Sequence, residues 1–164
     1  MNEVYSQLER LVTLLTRENT RYRLLEHPAS GKSEEVAKIR GTEVGQGAKA
    51  LVCTLKGKGK KGYVLAVLAA DLQADLTRLG EVLGAKKASL ASISDVMTLT
   101  GCVPGSVPPF SFHEDLKLVA DPALFERYQE IAFNAGSLEH SVVLNTEDYL
   151  RVAQPEILTF SRHA

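Results

Sequence analysis

Two long apolar runs, separated by a short segment rich in lysine and glycine, constrain the fold of this chain more than any other feature. The runs extend from Ala48 to Leu55 and from Tyr63 to Ala70. Each has the length and the composition of a buried β-strand. Gly57, Gly59 and Gly62 in the intervening segment permit a tight bend. The pattern therefore predicts a β-hairpin near the middle of the chain.

Helices and further strands are predicted on both sides of this hairpin. The predicted helices are Asn2 to Asn19, a helix capped by Ser33 that ends before Gly41, Leu72 to Leu83, Ser92 to Thr100, and Thr146 to Val152. The predicted strands are Arg21 to Leu25, Leu116 to Val119, Glu130 to Phe133, and Ser141 to Leu144. Because helices and strands are interspersed, the expected fold class is α+β with a mixed sheet, in one domain that spans 1–164.

Charge and cysteine usage narrow the classes of function. A net charge of −1 argues against broad coating of nucleic acid, which phosphate neutralisation drives, so no DNA partner is expected. No apolar run approaches the ~18 residues of a membrane span, and the first residues lack a secretory signal, so no membrane partner is expected. Cys53 and Cys102 form neither a CxxC pair nor a disulfide framework, which indicates the reducing cytoplasm.

Several common chemistries lack their motifs in this chain. There is no phosphate-binding P-loop, no GxGxxG after a strand and no GxSxG nucleophile elbow. No metal-ligand spacing relates the histidines, which are His27, His113, His140 and His163. Cys53 lies inside an apolar run, where a buried structural cysteine is favoured over a nucleophile. The sequence therefore predicts neither a metal nor a cofactor.

Three segments remain that could act on a substrate. Lys49 stands between alanines at the head of an apolar strand, where its amine either opens into a cleft or reaches water past the sheet. The segment from Gly101 to Pro109 is either a stiff loop whose N–H groups stabilise an oxyanion or a plain connector. The segment from Asn134 to Gly136 is either a pocket wall or an ordinary turn.

The bend of the hairpin carries a local basic cluster. Its lysines are Lys56, Lys58, Lys60 and Lys61. Lys86 and Lys87 form a second pair further along the chain. The cluster is either a solvated turn or a loop that contacts phosphates, and charge alone does not decide between the two.

Five short motifs occur in order between Tyr22 and Arg151. They are Glu26-His27-Pro28, Ala48-Lys49-Ala50-Leu51-Val52, Val67-Leu68-Ala69-Ala70-Asp71, Gly105-Ser106-Val107-Pro108-Pro109 and Asn134-Ala135-Gly136. Together they resemble the YbaK/ProRS-associated editing family, the superfamily built on the insertion domain of bacterial prolyl-tRNA synthetases. The likeness is greatest to the free-standing YeaK branch, through the segment from Gln46 to Cys53 and through Ala120-Asp121-Pro122.

The resemblance implies a fold, an activity and a set of site residues. The fold is α+β with a mixed, partly barrel-like sheet flanked by helices, and the activity is hydrolysis of mischarged aminoacyl-tRNA without a cofactor. Lys49 and Gly105 are expected to be catalytic. The residues expected to bind substrate are His27, Gly101, Ser106, Pro109, Asn134, Ala135 and Gly136. Aminoacyl-tRNA is the expected partner, a synthetase is a further candidate, and the lysines of the bend are expected to bind tRNA.

The amino acid to be removed is expected to be small. One pocket discriminates a missing methylene by only ~1–3 kcal/mol, so a second sieve has to remove the smaller errors, which favours alanine, serine or threonine. Ser106 stands where many relatives have a second glycine, and this difference bears on which amino acid fits. Two rival readings remain, a non-catalytic module that binds tRNA or a synthetase, and a thiol- or metal-dependent hydrolase.

Overall fold

The computed structural model describes residues 6–30, 32–57 and 60–163, which form an α+β fold. The helices are α1 (Ser6–Arg17), α2 (Ser33–Arg40), α3 (Leu76–Val82), α4 (Ile93–Thr100), α5 (Ala123–Glu126) and α6 (Thr146–Ala153), with a 3-10 turn at Val44–Gln46. The strands are β1 (Tyr22–Glu26), β2 (Ala48–Gly57), β3 (Lys60–Ala69), β4 (Leu72–Ala74), β5 (Lys87–Leu90), β6 (Leu116–Ala120), β7 (Glu130–Asn134), β8 (His140–Asn145), β9 (Glu156–Ile157) and β10 (Ser161–His163).

The strands form three sheets, and the largest is mixed. Its order is β5-β2-β3-β6-β9, with antiparallel pairing from β5 to β3 and parallel pairing from β3 to β9. A second, antiparallel sheet has the order β1-β8-β7, and β4 pairs with β10. One parallel bridge, between Gly47 and Ala132, joins the first two sheets. The predicted fold class is confirmed, but the sheets do not close into a barrel within the described residues.

The central hairpin is formed as predicted and is longer than expected. Its register runs from Ala48 opposite Ala69 to Gly57 opposite Lys60. Successive side chains of a strand point to opposite faces, so this sheet buries apolar residues on both sides. Val52 belongs to the larger hydrophobic core on one face, whereas Cys53 belongs to a smaller core on the other.

The larger core holds the two main sheets and the first helix together. Leu11 and Leu15 of α1 are fully buried in it. Phe110 stands edge-on to Phe133 and to Tyr149, with ring centroids 6.0 and 5.2 Å apart. Full burial of a large apolar side chain stabilises a fold by about 1.5–3 kcal/mol. The core therefore fixes the ends of β7 and α6 relative to the loop that precedes Phe110.

One predicted helix begins too early, and several short elements were not predicted. The segment from Leu72 to Ala74 is strand β4 rather than the start of a helix, because it pairs with β10 near the end of the chain. The helix begins after Asp75, whose carboxylate accepts a hydrogen bond from the N–H of Arg78 at 3.0 Å. Strands β5, β9 and β10 and helix α5 are too short to leave a clear pattern in the sequence.

The described boundaries of the other helices agree with the sequence to within two residues except at one cap, and residues 2–5 of the first predicted helix lie outside the described residues. Ser33 is the first residue of α2, and Lys32 occupies the cap position without a side-chain hydrogen bond. Gly41 ends α2 in a left-handed conformation, and Ser92 caps α4 by accepting from the N–H of Asp95 at 3.0 Å. In the part of the chain that is described, no helix has both the length and the apolar character needed to cross a bilayer.

Candidate active site

A small cavity lies where α2, the start of β2, the end of β7 and the loop after α4 meet. Its volume is about 90 Å³. Most of its wall is contributed by small or aliphatic residues, namely Val36, Ala37, Val44, Gly47, Ala48, Ala50, Ala70, Gly105, Val107 and Ala132. The polar side chains in the wall are those of Ser33, Arg40, Lys49 and Asn134. No carboxylate or imidazole lines the cavity among the described residues, so its chemistry depends on cations and hydrogen-bond donors.

Lys49 lines the cavity from the second position of β2. Its side chain is half-buried, and its Nζ atom donates a hydrogen bond to the carbonyl oxygen of Leu72 at 2.5 Å. Burial lowers the pKa of Lys49, and the nearby charge of Asp71 partly opposes that shift. Asp71 itself accepts two hydrogen bonds of 2.8 Å from Arg127. The amine of Lys49 is thus a partly desolvated cation in the cavity wall, held by a main-chain carbonyl.

Arg40 is a buried cation in the same wall. The residue is only 9% exposed, and burial lowers its pKa to about 10 with no acidic neighbour to offset the cost. Its Nε atom donates to Ser141 Oγ at 2.9 Å, and its Nη2 atom donates to Asn134 Oδ1 at 3.0 Å. These two bonds fix the plane of the guanidinium group at the edge of the cavity. An arginine buried without a carboxylate is unusual, because a buried charge is normally paired.

The hydrogen bonds around Arg40 form a chain with a consistent direction. The Nδ1 atom of His27 lies 2.9 Å from the carbonyl oxygen of Pro28 and donates to it, so in the neutral imidazole Nε2 is an acceptor. The Ser141 hydroxyl, 2.7 Å from that Nε2 atom, donates to it and accepts from Arg40. On the other side, Asn134 accepts from Arg40 and donates to the carbonyl oxygen of Gly105 at 2.7 Å. Arg40 is therefore the common source of donors for both branches.

Gly105 stands at the tip of the loop between α4 and β6. Its φ of +90° lies in a region that side chains other than glycine disfavour. The carbonyl oxygen accepts from Asn134, whereas the Gly105 N–H has no partner among the hydrogen bonds of the described residues. Ser106 is buried, and its hydroxyl donates to the carbonyl oxygen of Val103 at 2.8 Å. The loop thus has a free main-chain N–H at Gly105, which lines the cavity. Hydrogen bonds from Ser106 to Val103 close the turn of the loop itself.

The residues expected from the sequence to form the site fall into two groups. Lys49, Gly105 and Asn134 line the cavity together. His27 does not line it but is connected to it through Ser141 and Arg40. The structure therefore brings three of the predicted residues together in the cavity wall and connects the fourth, His27, to that wall through hydrogen bonds.

The other predicted residues do not line the cavity. Gly101 ends α4 with a φ of +70°, and Gly136 packs against Gln7 of α1. The carbonyl oxygen of Pro109 accepts from the Tyr149 hydroxyl at 2.7 Å, and Ala135 is fully buried in the larger core. Together with the internal bond of Ser106, these contacts hold the loop and the end of β7 in place.

The lysines near the bend form a row across three strands. Lys56 on β2 is directly opposite Lys61 on β3 and Lys87 on β5, so the three side chains share one face of the sheet. All three are exposed, and Lys61 is 3.9 Å from Asp95. Lys58 lies outside the described residues, and only the main chain of Lys60 is described. The row is uncommon because like charges directly opposite one another destabilise a sheet.

Two members of the network, Arg40 and Ser141, were missed from the sequence. Arg40 has the appearance of an ordinary basic residue in the last turn of a helix. Its spacing from Ser33, Val36 and Ala37 places it on the helix face that lines the cavity. A charged residue on the apolar face of a short helix was the available signal. Ser141 lies inside a buried strand and gave no comparable signal.

Neither a metal nor a thiol has the surroundings that catalysis would need. In residues 6–30, 32–57 and 60–163, no three His, Cys, Asp or Glu side chains are grouped to hold a metal ion. Burial raises the pKa of the Cys53 thiol to about 11. A thiol with such a pKa carries almost no thiolate near neutral pH, and the thiolate is the nucleophilic form.

Comparison with known sequences gives a family match over most of the chain. A sequence model of the aminoacyl-tRNA editing domain matches residues 27–152. The multifunctional Ser/Thr-tRNA deacylase ProXp-y of Escherichia coli strain K12 is 60% identical over 156 residues, which cover 95% of this chain and 93% of that protein. A proline–tRNA ligase of Desulforamulus reducens is 31% identical over 131 residues, which cover 80% of this chain but 22% of the ligase.

Comparison with solved structures gives the same architecture at low sequence identity. The crystal structure of hypothetical protein APE2540 has a TM-score of 0.82 at 19% identity, and it covers 93% of this chain and 99% of that one. The structure of a candidate trans-editing enzyme for prolyl tRNA synthetase has a TM-score of 0.80 at 23% identity, with 96% and 98% covered. At these identities the likeness concerns the fold.

Proposed function

This chain belongs to the aminoacyl-tRNA editing domain family, and from that premise we propose that it is a deacylase that hydrolyses the ester of mischarged aminoacyl-tRNA. The resemblance found in the sequence motifs is thereby confirmed. The observation that carries the proposal is the 60% identity to ProXp-y across 93% of that protein. Because that relative is named a Ser/Thr-tRNA deacylase, seryl- and threonyl-tRNA are the proposed substrates.

The size and polarity of the cavity support a small aminoacyl group. A volume of about 90 Å³ and a wall made mostly of glycine, alanine and valine favour a small aminoacyl group. An aminoacyl ester is already activated, so positioning and electrostatic stabilisation suffice for hydrolysis without a protein nucleophile. In the family that the chain resembles, the terminal ribose hydroxyl of the substrate is thought to assist. The absence of a carboxylate or imidazole from the described cavity wall agrees with such a mechanism.

Lys49 and Gly105 have the properties needed at the reacting ester. Attack of water on the carbonyl carbon places negative charge on the carbonyl oxygen, and the ester bond then breaks to release the amino acid from the ribose. The unpartnered N–H of Gly105 is the proposed donor to that oxygen. The amine of Lys49 is proposed to leave the carbonyl of Leu72 and hold the substrate beside the loop. One oxyanion donor of this kind contributes about 10²–10³ in rate.

We further propose that the lysine row formed by Lys56, Lys61 and Lys87 binds tRNA phosphates. The row lies on the same face of β2 as Ala50, which lines the cavity, and six residues further along the strand, or about 20 Å at about 3.3 Å per residue. An aminoacyl ester in the cavity would place the unpaired 3′ end of the tRNA across that distance. The tRNA phosphates further from the ester would then lie beside the exposed amines. Lys58 and Lys60 belong to the same basic cluster of the sequence and stay proposed tRNA-binding residues.

The expected synthetase partner, the cytoplasmic location and the single domain remain proposals. A synthetase is a candidate partner, because the chain is 31% identical to a segment of a proline–tRNA ligase. The chain is proposed to work in the cytoplasm as one domain over 1–164. A binding module without catalysis is the alternative, and a free N–H beside a desolvated lysine argues against it, since binding alone does not require an oxyanion donor.

The test is deacylation of tRNAs charged with serine, threonine, alanine, cysteine and proline by the wild type, Lys49→Ala and Lys49→Arg. We expect hydrolysis of the seryl and threonyl esters and a loss of at least about 10²-fold in kcat with Lys49→Ala. Lys49→Arg keeps the charge in a different geometry and should recover only part of the rate. Binding of charged tRNA without hydrolysis of any ester would favour the binding-module alternative.

A further inference from the structure

The guanidinium of Arg40 has donors that the protein does not use. Its five N–H groups are fixed in a planar fork, and the hydrogen bonds of the described residues occupy Nε and one position on Nη2. The Nη1 atom lies 4.0 Å from the place where a side-chain Cβ on Gly47 would stand. Gly47 and Arg40 both line the cavity. The unused donors are thus on a side chain that is only 9% exposed and that borders the empty space.

Among the described residues these donors have no protein acceptor, and Nη1 is not one of the fully buried polar atoms, so solvent reaches it through the cavity. The neighbouring wall residues Ala37, Gly47 and Ala132 present methyl groups or bare main chain to the cavity. The two side chains that accept from Arg40, Ser141 and Asn134, are already engaged in the hydrogen-bond chain. A buried donor that is left unpaired costs free energy, and the cost is larger for a charged group. A ligand that fills the cavity without an acceptor would impose that cost, because it excludes solvent from the donor, whereas a ligand with an oxygen acceptor at this position would avoid it.

Within the aminoacyl group of the substrate, chemistry limits which atoms can face Arg40. The ammonium group of an aminoacyl ester is repelled by a guanidinium, and the described cavity wall contains no carboxylate to attract it. The ester carbonyl is assigned above to the free N–H of Gly105, beside which Lys49 holds the substrate. The remaining acceptor on a seryl or threonyl group is its side-chain hydroxyl, which an alanyl or valyl group lacks.

We propose that Arg40 is the specificity-determining residue that recognises the side-chain hydroxyl of the aminoacyl group. The inference rests on the proposed function and adds a physical reason for a preference for serine over alanine. A cavity defined by size alone admits alanine as easily as serine. A buried donor that must be satisfied rejects the substrate that lacks the oxygen, because binding that substrate would keep the donor unpaired and exclude water from it.

The anchoring of Arg40 explains why the recognition can be selective. Two hydrogen bonds, to Ser141 and to Asn134, hold the fork in one orientation, so the remaining donors point in fixed directions. The same Asn134 binds the carbonyl oxygen of Gly105 at 2.7 Å. The group that recognises the side chain and the loop at the ester are therefore positioned by one shared amide.

The test compares substrates that differ by one oxygen. The ratio of kcat/KM for seryl-tRNA to that for alanyl-tRNA, and the ratio for threonyl-tRNA to that for valyl-tRNA, are measured in the wild type, Arg40→Met and Arg40→Lys. Methionine has a similar length and cannot donate a hydrogen bond. We expect each ratio to fall at least about 10-fold in Arg40→Met. Arg40→Lys keeps the charge without the fork and should give an intermediate ratio.

Ser141→Ala is the matched control, because Ser141 contacts Arg40 but does not line the cavity. We expect it to lower all four rates together and to leave both ratios within about twofold of the wild type, since Asn134 still holds the fork and the donors of Arg40 that face the cavity remain. Equal losses on all four substrates in Arg40→Met and Arg40→Lys, with unchanged ratios, would overturn the inference and assign Arg40 to the loop or the ester. A wild type that hydrolyses none of the four esters would instead refute the proposed function, and the inference with it.

Discussion

At the scale of the residue, Gly105 combines a constrained main chain with open space. Its φ is +90°, yet a Cβ placed there would meet only Leu138, at 3.9 Å. The requirement for glycine is thus conformational rather than steric, and an L-residue at such a φ costs about 1–2 kcal/mol. The loop can relieve that cost by rotating, and a rotation would move both the N–H and the carbonyl that Asn134 binds.

Gly105→Ala is therefore expected to reduce deacylation at least about tenfold while lowering stability only modestly. The matched control is Gly84→Ala, because Gly84 has a φ of +72° and nothing within 4 Å of its Cβ position, but lies outside the cavity wall. Thermal unfolding and seryl-tRNA hydrolysis of both variants provide the measurement. Similar losses of stability with activity lost only in Gly105→Ala would support the role of the loop. Equal activities in the two variants would contradict it.

The sequence located part of the candidate site and missed the rest for a physical reason. Lys49 and Gly105 were found because a lysine in an apolar strand and a glycine in a proline-rich loop are anomalous within their own segments. Arg40 is ordinary within its segment and becomes anomalous only when α2 covers the cavity and buries its charge. Gly101 and Gly136, which the sequence also predicts to bind substrate, lie at a helix end and against α1 rather than in the cavity wall.

At the scale of the element, the central hairpin connects the cavity to the lysine row. One strand, β2, carries Lys49 near its start and Lys56 near its end. Lys61 and Lys87 reach the row through pairing in the sheet rather than through proximity in the sequence. The three cations repel one another at this end of the sheet, and an anion bound to the row would reduce that repulsion.

Replacing the three lysines of the row by glutamine should flatten the salt dependence of tRNA binding. Each phosphate contact that is lost reduces the slope of log K against log salt by about 0.7–0.9, so the triple variant should lose about 2–3 in slope. Lys117→Gln is the control, since Lys117 lies on the face of the same sheet opposite to the row. Its Nζ atom is 2.6 Å from Oε2 of Glu156. An unchanged slope in the triple variant would place the tRNA elsewhere on the surface.

The elements themselves were predictable to the extent that their pattern is local. The hairpin, α1, α4, β7, β8 and α6 have periodicity or caps that are visible within their own segments. The sequence predicts β4 as the start of a helix, because its pairing partner β10 is far from it in the sequence, near the end of the chain. Tertiary pairing of this kind overrides local preference, and it leaves no trace in a short window of sequence.

At the scale of the whole molecule, one ion pair connects the start of β1 to α6. Asp148 is only 7% exposed and accepts from the main-chain N–H of Arg21 at 2.8 Å and from its Nε at 3.0 Å. These bonds hold the pKa of Asp148 at about 2, below its usual value near 4. A carboxylate whose pKa is lower in the folded than in the unfolded state stabilises the fold at pH values above its unfolded-state pKa. That stability is lost as the pH falls through the folded-state pKa.

Asp148→Asn is therefore expected to lower the free energy of unfolding by about 1–2 kcal/mol at pH 7, a value reduced to allow for the exposure of Arg21. The difference from the wild type should narrow as the pH falls from about 4 to about 2. Chemical denaturation across this range provides the measurement. Glu147→Gln is the control, because Glu147 is 89% exposed and 3.9 Å from Arg21, and it should change stability by less than about 0.5 kcal/mol. A constant difference at all pH values would contradict the assignment.

The composition of the cavity wall has a consequence for how this enzyme can change over evolution. Where Gly47, Ala48, Ala50 and Ala132 line the space, its boundary is set by the main chain and by single methyl groups. Almost every point substitution at these positions adds volume, so it narrows the space or fills it. A Cβ on Gly47 would already stand 3.0 Å from Ala70. At these four positions mutation can thus restrict the range of accepted amino acids in one step, whereas it can enlarge the space by no more than a methyl group.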